Sequence, residues 1–374
     1  MKGLSFILSD QCNITCDFCA PNCGPKLKGH LSAEFMINVF DQLRRIMPVA
    51  NVVFTGGEPT LFRKDIIRTL KHIHKVGSAP TRIVTNAYWG KDYKKAYEFV
   101  LSLKEAGLSE FNFSVDDFHQ KYIDLSAIHN AIEVCLSLEI PVLLAHKIFP
   151  GCEITKKTFD DLVGFEIPIY EELTDEEHAK ELLCISTGAT IPVGRGADKV
   201  NLEDWVPEDT NPEVWSGPCK EVLKNITVQA DGSLSPCCGI IERKMPTFYM
   251  GDLSTTPLAD VIKRANGSTI YNWLALEGPE GIMREIQNRA PDEKFLGRYL
   301  QNCQLCQEIF SSESKKAVIA GCLNEKANEL SIARSFFEVM RNIEAPRASE
   351  GDTTRAVANQ GESGSDLMSS ESTI

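Results

Sequence analysis

The stretch Cys12-Asn13-Ile14-Thr15-Cys16-Asp17-Phe18-Cys19 places three thiols within eight residues, directly after the apolar run Gly3 to Leu8. The apolar run predicts a buried strand, so the cysteines belong to the loop that follows it. Iron–sulfur clusters are held by cysteine thiolates, and a four-iron cluster given only three of them keeps one iron open for another ligand. A zinc site completed by Cys23 or His30 is the alternative for the same thiols. This loop is the first candidate for the chemistry of the chain.

Composition and charge narrow the class of protein. The chain has 374 residues, of which 43% are hydrophobic and 24% charged, and this predicts a globular protein with one large and one smaller domain. Its net charge of −13 argues against a broad nucleic-acid-binding surface. Without a long apolar stretch or a signal peptide, we expect a cytoplasmic protein with no membrane partner. In that compartment, thirteen cysteines predict metal or redox chemistry rather than disulfides.

Strand and helix patterns alternate along the first 150 residues. The predicted strands are Gly3 to Leu8, Asn51 to Phe54, Thr81 to Thr85, Glu110 to Val115, Pro141 to His146, and a sixth at Ala189 to Val193. The predicted helices run from the N-cap Ser32 to about Ile46, through Ile66 to Ile73, and over Tyr93 to Glu105 and Leu125 to Leu138. Such alternation predicts right-handed crossovers and a parallel sheet with helices packed outside it.

The unusual loops all follow predicted strands. The cysteines follow the first, Gly56-Gly57-Glu58 the second, Asn86 the third, Asp116-Asp117-Phe118-His119 the fourth, and Gly194-Arg195-Gly196 the sixth. Ligand sites of parallel α/β sheets lie at the carboxyl ends of the strands. We therefore expect these loops to meet at one edge of the sheet.

The spacing Cys12-x3-Cys16-x2-Cys19, followed by Gly56-Gly57-Glu58-Pro59, resembles the radical S-adenosylmethionine (SAM) superfamily. The resemblance covers most of residues 1–200 and implies the α/β class, as a partial (β/α)6 TIM-like barrel. It implies that the three thiolates bind a [4Fe-4S] cluster whose open iron binds SAM. Reductive cleavage of SAM would give a 5'-deoxyadenosyl radical that abstracts hydrogen from a C–H bond, with flavodoxin or ferredoxin as reductant.

The resemblance also implies a set of cofactor contacts at strand ends. These are Gly56, Gly57, Glu58, Ser114, Asp116 and Arg195. The glycines would let the backbone approach the cofactor closely, and Glu58 would accept a hydrogen bond from the amino group of SAM. A simple turn is the alternative for the glycines, and a surface position is the alternative for Arg195.

Two residues are candidates for catalysis. His119 is a candidate acid or base, because an unperturbed histidine titrates near neutrality, and a polar residue at a helix start is the alternative. Cys238 is a candidate hydrogen-atom donor that would complete an epimerisation.

A second set of cysteines follows the proline-containing linker Trp205 to Pro218. The segment Asn225 to Leu234 predicts a hairpin, which is flanked by Cys219 and Cys237. With Cys303-x2-Cys306, these thiols supply four ligands for a cubane cluster, and a zinc site is the alternative.

This second pattern resembles the auxiliary-cluster extension of radical SAM enzymes. The longer form, the SPASM domain, carries two clusters and needs a further dense run of cysteines, whereas here only Cys322 follows. We therefore expect the shorter twitch form with one auxiliary [4Fe-4S] cluster.

The predicted organisation has three segments. Residues 1–200 form the radical SAM partial barrel, and residues 201–343 form a twitch/SPASM-like α+β auxiliary cluster domain with helices at Asp252 to about Ala275 and Lys315 to Ile343. Residues 344–374, rich in Ser, Glu, Gly and Thr, are expected to be disordered.

The predicted function is that of a radical SAM oxidoreductase or maturase. It would oxidise, cross-link or epimerise a small metabolite or a peptide. A non-catalytic iron–sulfur electron carrier or a zinc-stabilised binding protein is the alternative.

Overall fold

The computed structural model describes residues 2–77, 79–196, 199, 201, 205–237 and 245–344, with side chains described as far as residue 332. Residues up to Leu330 form one compact unit. A second unit begins at Ser331, and its described part is helical to Glu344. Cys238 and residues 345–374 lie outside the described residues, so the predictions for Cys238 and for the tail stay predictions.

The described residues contain a sheet of nine strands in the order β6-β5-β4-β3-β2-β1-β7-β8-β9. The strands are β1 Lys2–Ile7, β2 Val49–Thr55, β3 Thr81–Thr85, β4 Glu110–Val115, β5 Val142–Ile148, β6 Leu183–Ala189, β7 Asn225–Val228, β8 Ser233–Ser235 and β9 Gly251–Asp252. Strands β1 to β6 are all parallel and form the predicted partial (β/α)6 barrel. Strand β7 pairs parallel with β1, and β8 and β9 follow antiparallel.

Helices connect the barrel strands and continue beyond the sheet. They are α1 Ala33–Ile46, α2 Arg63–Val76, α3 Tyr93–Glu105, α4 Asp117–Gln120, α5 Leu125–Ser137, α6 Lys156–Val163, α7 Asp175–His178, α8 Leu258–Asn266, α9 Thr269–Arg289, α10 Asn302–Ser311 and α11 Glu313–Glu344. Ser32 caps α1 as predicted, since its side chain accepts a hydrogen bond from Phe35 N. Among the described helices, none combines the length and the apolar character needed to cross a membrane.

Buried apolar side chains of the described residues form two clusters. One fills the space between the barrel sheet and its helices and includes Phe54 and Phe111, together with Ile226 of β7. The other joins the later helices around Trp273 and Phe310. Strands β7, β8 and β9 continue the barrel sheet beyond the predicted domain boundary at residue 200. The division into two domains at that residue therefore stays a prediction.

The prediction of the sixth strand was wrong. The structure places it at Leu183–Ala189, where seven residues pair in register with β5, rather than at Ala189 to Val193. Leu183 and Ile185 are buried, so tertiary pairing outweighs the apolar run that lies further along the chain.

The single helix predicted from Asp252 to about Ala275 was also wrong. Asp252 belongs to β9, and Pro257 precedes α8. Ser268 then caps the separate helix α9 by accepting a hydrogen bond from Tyr271 N. The predicted hairpin at β7 and β8 and the last helix were confirmed.

Candidate functional site

The cysteine loop borders a cavity of about 220 Å³ at the carboxyl ends of the barrel strands. The lining includes Cys12, Cys16, Cys19, Cys23, Gly56, Gly57, Asn86, Ser114 and His119. The structure therefore brings together the three predicted cluster ligands, both glycines, Ser114 and His119. Glu58, Asp116 and Arg195 are not part of this lining.

The thiols differ in their surroundings. Burial raises the pKa of Cys12 to about 12. The pKa of Cys19 falls to about 6, mainly because of a hydrogen bond with the Cys23 side chain, and the backbone N of Cys23, 3.2 Å from Cys19 Sγ, adds to the effect. A cysteine binds a metal as the thiolate, and the surroundings of Cys19 favour that form.

The donor set fits an iron–sulfur cube. Among the described residues, no three Cys, His, Asp or Glu side chains converge closely enough to hold one metal ion. A cube is bound at separate corners, and Cys12, Cys16 and Cys19 surround one cavity rather than meeting at a point.

Gly57 packs against the stem of the cysteine loop. Its N–H donates to Ser9 O at 2.7 Å, and the next residue, Glu58, donates from its N–H to Gln11 O at 2.9 Å. A Cβ on Gly57 would lie 2.0 Å from Gln11 O, so only glycine allows this approach. The structure thus gives a reason for glycine besides the predicted contact with the cofactor, which stays a prediction.

Glu58 organises the loops that follow β2 and β3. Its fully buried carboxylate accepts hydrogen bonds from Thr60 N and Oγ1 (3.2 and 2.5 Å), Thr85 Oγ1 (2.7 Å) and Asn86 N (2.9 Å). Burial raises the pKa of Glu58, and these hydrogen bonds oppose that shift. Three of the four bonds reach Oε1, and the predicted bond from SAM to this carboxylate stays a prediction.

The buried Asp116 and the half-buried His119 form a pair at the end of β4. Asp116 caps α4, with Oδ1 accepting hydrogen bonds from Phe118 N (2.9 Å) and His119 N (3.0 Å), and the same oxygen lies 2.8 Å from His119 Nδ1. Burial alone would lower the pKa of His119, but Asp116, together with a hydrogen bond to Cys16, raises it well above its ordinary value. His119 therefore lies beside Cys16, one of the predicted cluster ligands, and Asp116 Oδ1 holds its ring at Nδ1.

Arg195 lies in the segment that follows β6 and contacts the cysteine loop and the residues after it. Its guanidinium donates to Asn22 Oδ1 at 2.9 Å, to Cys16 O at 2.6 Å and to Cys23 O. Its backbone N–H donates to Cys19 O at 3.1 Å.

A second cavity, of about 390 Å³, lies between the later elements. Its lining includes all four predicted auxiliary ligands: Cys219, Cys237, Cys303 and Cys306. The last two lie near the start of α10, and the β7 residue Thr227 donates from Oγ1 to Cys237 O at 2.6 Å. Four thiols around one cavity fit the ligand set of a cubane cluster.

Two features of the site were missed from the sequence. Cys23 was considered only as a zinc ligand, whereas its N–H donates to Cys19 Sγ. Phe18 stacks on Trp205 with ring centroids 4.9 Å apart, and Trp205 stacks in turn on Phe149 at 5.4 Å. The position of Phe18 next to Cys19 indicates that its ring lies near the site. The local sequence does not indicate that Trp205 and Phe149 stack there, because both lie far away in the chain.

Comparison with known proteins gives the family. The model of the radical SAM superfamily matches residues 6–180. The GTP 3',8-cyclase of Alkaliphilus metalliredigens (strain QYMF) is 32% identical over 268 residues, which cover 62% of this chain and 78% of that protein. "Putative peptide biosynthesis protein YydG" of Bacillus subtilis (strain 168) is 21% identical over 325 residues, which cover 84% of this chain and 93% of that protein. Streptococcus suis SuiB bound to S-adenosylmethionine aligns with a TM-score of 0.39 at 17% identity, over 69% of this chain and 64% of that chain.

A parallel partial barrel with a triad of thiols at its strand ends defines a cluster-binding α/β protein. The chain belongs to the radical SAM superfamily, whose members are generally enzymes that use a [4Fe-4S] cluster with SAM.

Proposed function

We propose that this chain is a radical SAM enzyme that modifies a peptide. The observation that carries the proposal is the common cavity of Cys12, Cys16 and Cys19 with Gly57 and Ser114 at the carboxyl edge of the barrel. Cys12, Cys16 and Cys19 would hold a [4Fe-4S] cluster there, which would supply the electron for reductive cleavage of SAM and so the hydrogen abstraction from a C–H bond.

Different residues around the cavity are proposed to bind the cluster and SAM. Cys12, Cys16 and Cys19 hold the cluster, while Ser114 and Asn86 present polar groups to the ribose or carboxylate of SAM. His119 is held by Asp116 through Nδ1 and lies beside Cys16, where its imidazole would donate a hydrogen bond to the thiolate.

The second cavity supports one auxiliary cluster held by Cys219, Cys237, Cys303 and Cys306. Its role in the proposal is to anchor the substrate or to accept an electron from the substrate radical. Cys238 adjoins one of these ligands in sequence and is the proposed hydrogen-atom donor if the reaction is an epimerisation. A cytoplasmic flavodoxin or ferredoxin is the proposed reductant.

The comparisons favour a peptide as substrate. The relative described as a peptide biosynthesis protein is matched over 93% of its length, and the GTP 3',8-cyclase over 78%. The higher identity to the cyclase, 32% against 21%, makes a nucleotide-like small molecule the second candidate.

The test is anaerobic reconstitution of the full chain with iron and sulfide, followed by reduction with dithionite in the presence of SAM. We expect about eight irons per chain and formation of 5'-deoxyadenosine. Peptides encoded beside this gene and GTP would be offered separately, and products would be analysed by mass spectrometry.

A mass change in a peptide supports the proposal, and turnover of GTP alone replaces it with the second candidate. Tightly bound zinc without cleavage of SAM would contradict both and favour a binding protein. Bound iron with neither cleavage nor product would favour an electron carrier.

A further inference from the structure

We infer that Arg195 is a positioning residue that fixes the conformation of the cysteine loop, rather than a direct ligand of the cofactor. The inference rests on the proposed function, because the loop is the proposed cluster site. It assigns to Arg195 a role that differs from the one implied by the family resemblance.

All three nitrogens of the Arg195 guanidinium donate to the cysteine loop. Nε reaches Asn22 Oδ1 at 2.9 Å, Nη1 reaches Cys16 O at 2.6 Å, and Nη2 reaches Cys23 O. These acceptors lie more than 170 positions earlier in the sequence, so one planar group connects the middle cysteine of the triad to the residues that directly follow the triad. An arginine fork holds several acceptors in a fixed relative geometry, which a lysine ammonium cannot do.

The backbone around Arg195 is shaped for the same contact. Gly194 has φ +58°, and a Cβ there would lie 2.1 Å from Ala20 O. The N–H of Arg195 itself donates to Cys19 O at 3.1 Å. The segment therefore packs backbone against backbone on the loop, which places the guanidinium over the carbonyls.

Other residues of the same segment contact the cysteine loop at its exposed side. Lys199 Nζ lies 2.6 Å from Asp17 Oδ1, and the Trp205 ring stacks on Phe18. Exposed ion pairs contribute little to stability, so the guanidinium and the backbone bonds are the main restraints.

The contacts of Arg195 restrain the backbone that donates a hydrogen bond to the Cys19 thiol. Cys16 and Cys23 accept hydrogen bonds from Arg195 through their carbonyls, and the N–H of Cys23 donates to Cys19 Sγ at 3.2 Å. The Cys23 N–H belongs to the Asn22–Cys23 peptide unit, and Arg195 holds the residues on both sides of that unit through the Asn22 side chain and the Cys23 carbonyl. Hydrogen bonds to cluster sulfurs and the orientation of ligands set the properties of such centres.

The test is hydrogen–deuterium exchange of the full chain, in the metal-free form and after anaerobic reconstitution. We expect Arg195→Gln to speed exchange of the amides in residues 16–24 about tenfold in the metal-free form, because hydrogen bonds from a charged group are lost. Arg284→Gln is the matched control, since Arg284 is exposed on α9 and pairs only weakly with Glu280 at 3.7 Å. Exchange in α3 would report whether each variant keeps its fold.

Arg195→Lys keeps the positive charge but removes the planar guanidinium, so it tests the geometry of the group by itself. It also provides the test if Arg195→Gln does not fold. We expect the lysine variant also to exchange faster at residues 16–24 and to give an altered electron paramagnetic resonance spectrum of the reduced cluster. Wild-type exchange in the folded variants, with only weaker binding of SAM, would mean a direct cofactor ligand and overturn the inference. Full restoration by lysine of both exchange and spectrum would overturn it as well. Because the metal-free measurement does not depend on turnover, a wild-type chain that fails to cleave SAM would contradict the proposed function alone.

Discussion

Gly57 lies so close to Gln11 that a Cβ on the glycine would stand 2.0 Å from the Gln11 carbonyl oxygen. Gln11 directly precedes the first cysteine of the triad, and Glu58 N donates to the same carbonyl at 2.9 Å. The loop after β2 therefore holds the start of the cysteine loop in place through its backbone.

Gly57→Ala is expected to push these loops apart, because the clash is with backbone that cannot rotate away. Overpacking of this kind costs about 1–3 kcal/mol, so the free energy of unfolding should fall by that amount. Iron binding and formation of 5'-deoxyadenosine should fall with it. Urea unfolding and iron analysis measure the two effects.

The matched control is Gly321→Ala, since a Cβ at Gly321 meets nothing within 4 Å. It should leave stability and iron content unchanged or slightly raised, because alanine favours a helix. Equal losses in both variants would show that the approach of Gly57 to Gln11 is not the cause.

Glu58→Gln is expected to destabilise the chain by about 1–3 kcal/mol, because the amide NH2 would replace one carboxylate oxygen and face either Asn86 N at Oε2 or donors such as Thr60 N at Oε1. Circular dichroism during denaturation measures this loss. Glu34→Gln is the control, because Glu34 is exposed in the first turn of α1. Wild-type stability in Glu58→Gln would refute the role assigned to the buried carboxylate.

The same carboxylate predicts a pH dependence. Burial raises the pKa of Glu58, so the folded state binds a proton that the unfolded state has released. The contribution of Glu58 to the free energy of unfolding is then present below its ordinary pKa and falls as the pH rises through the folded-state value. Glu58→Gln cannot titrate, so its stability should lack this decline when both proteins are unfolded in urea across acidic and neutral pH. Parallel pH profiles would contradict the prediction.

The sequence predicted correctly those elements whose structural signals lie within a few residues of one another. The strands Thr81–Thr85 and Glu110–Val115 and the helix Tyr93–Glu105 were predicted at their observed bounds, because apolar periodicity and a cap such as Asp92 act within a few residues. The thiol triad and the four later cysteines were found by spacing, and each set lines one cavity.

The errors and omissions arise from long-range contacts. Strand β6 was misplaced because its pairing with β5 outweighs the local apolar pattern. Arg195 was predicted to contact the cofactor, yet nothing near it in the sequence indicates Cys16 or Cys23 as acceptors. Such partners are set by the packing of the whole barrel, which a single sequence does not encode locally.

Asp116→Ala should lower the free energy of unfolding by about 1–2 kcal/mol, because α4 loses its cap. Asp124→Ala is a matched control, since Asp124 precedes α5 without a side-chain cap hydrogen bond, and it should change stability by less than about 0.5 kcal/mol. Guanidinium unfolding of both variants gives the comparison. A loss at Asp124 as large as that at Asp116 would show that the measured loss does not come from the cap.

Cys16→Ala and Cys303→Ala should show different defects, because each changes a different cavity. Loss of Cys16 removes one of three ligands around the first cavity, so cleavage of SAM should be abolished. Loss of Cys303 changes only the second cavity, so 5'-deoxyadenosine should still form without product. Cys152→Ala is the control, because Cys152 is absent from the lining of both cavities and should leave both measurements at the wild-type level. Since each cavity is lined by its own set of proposed ligands, full product formation by Cys303→Ala would mean that the second set of thiols takes no part in the reaction.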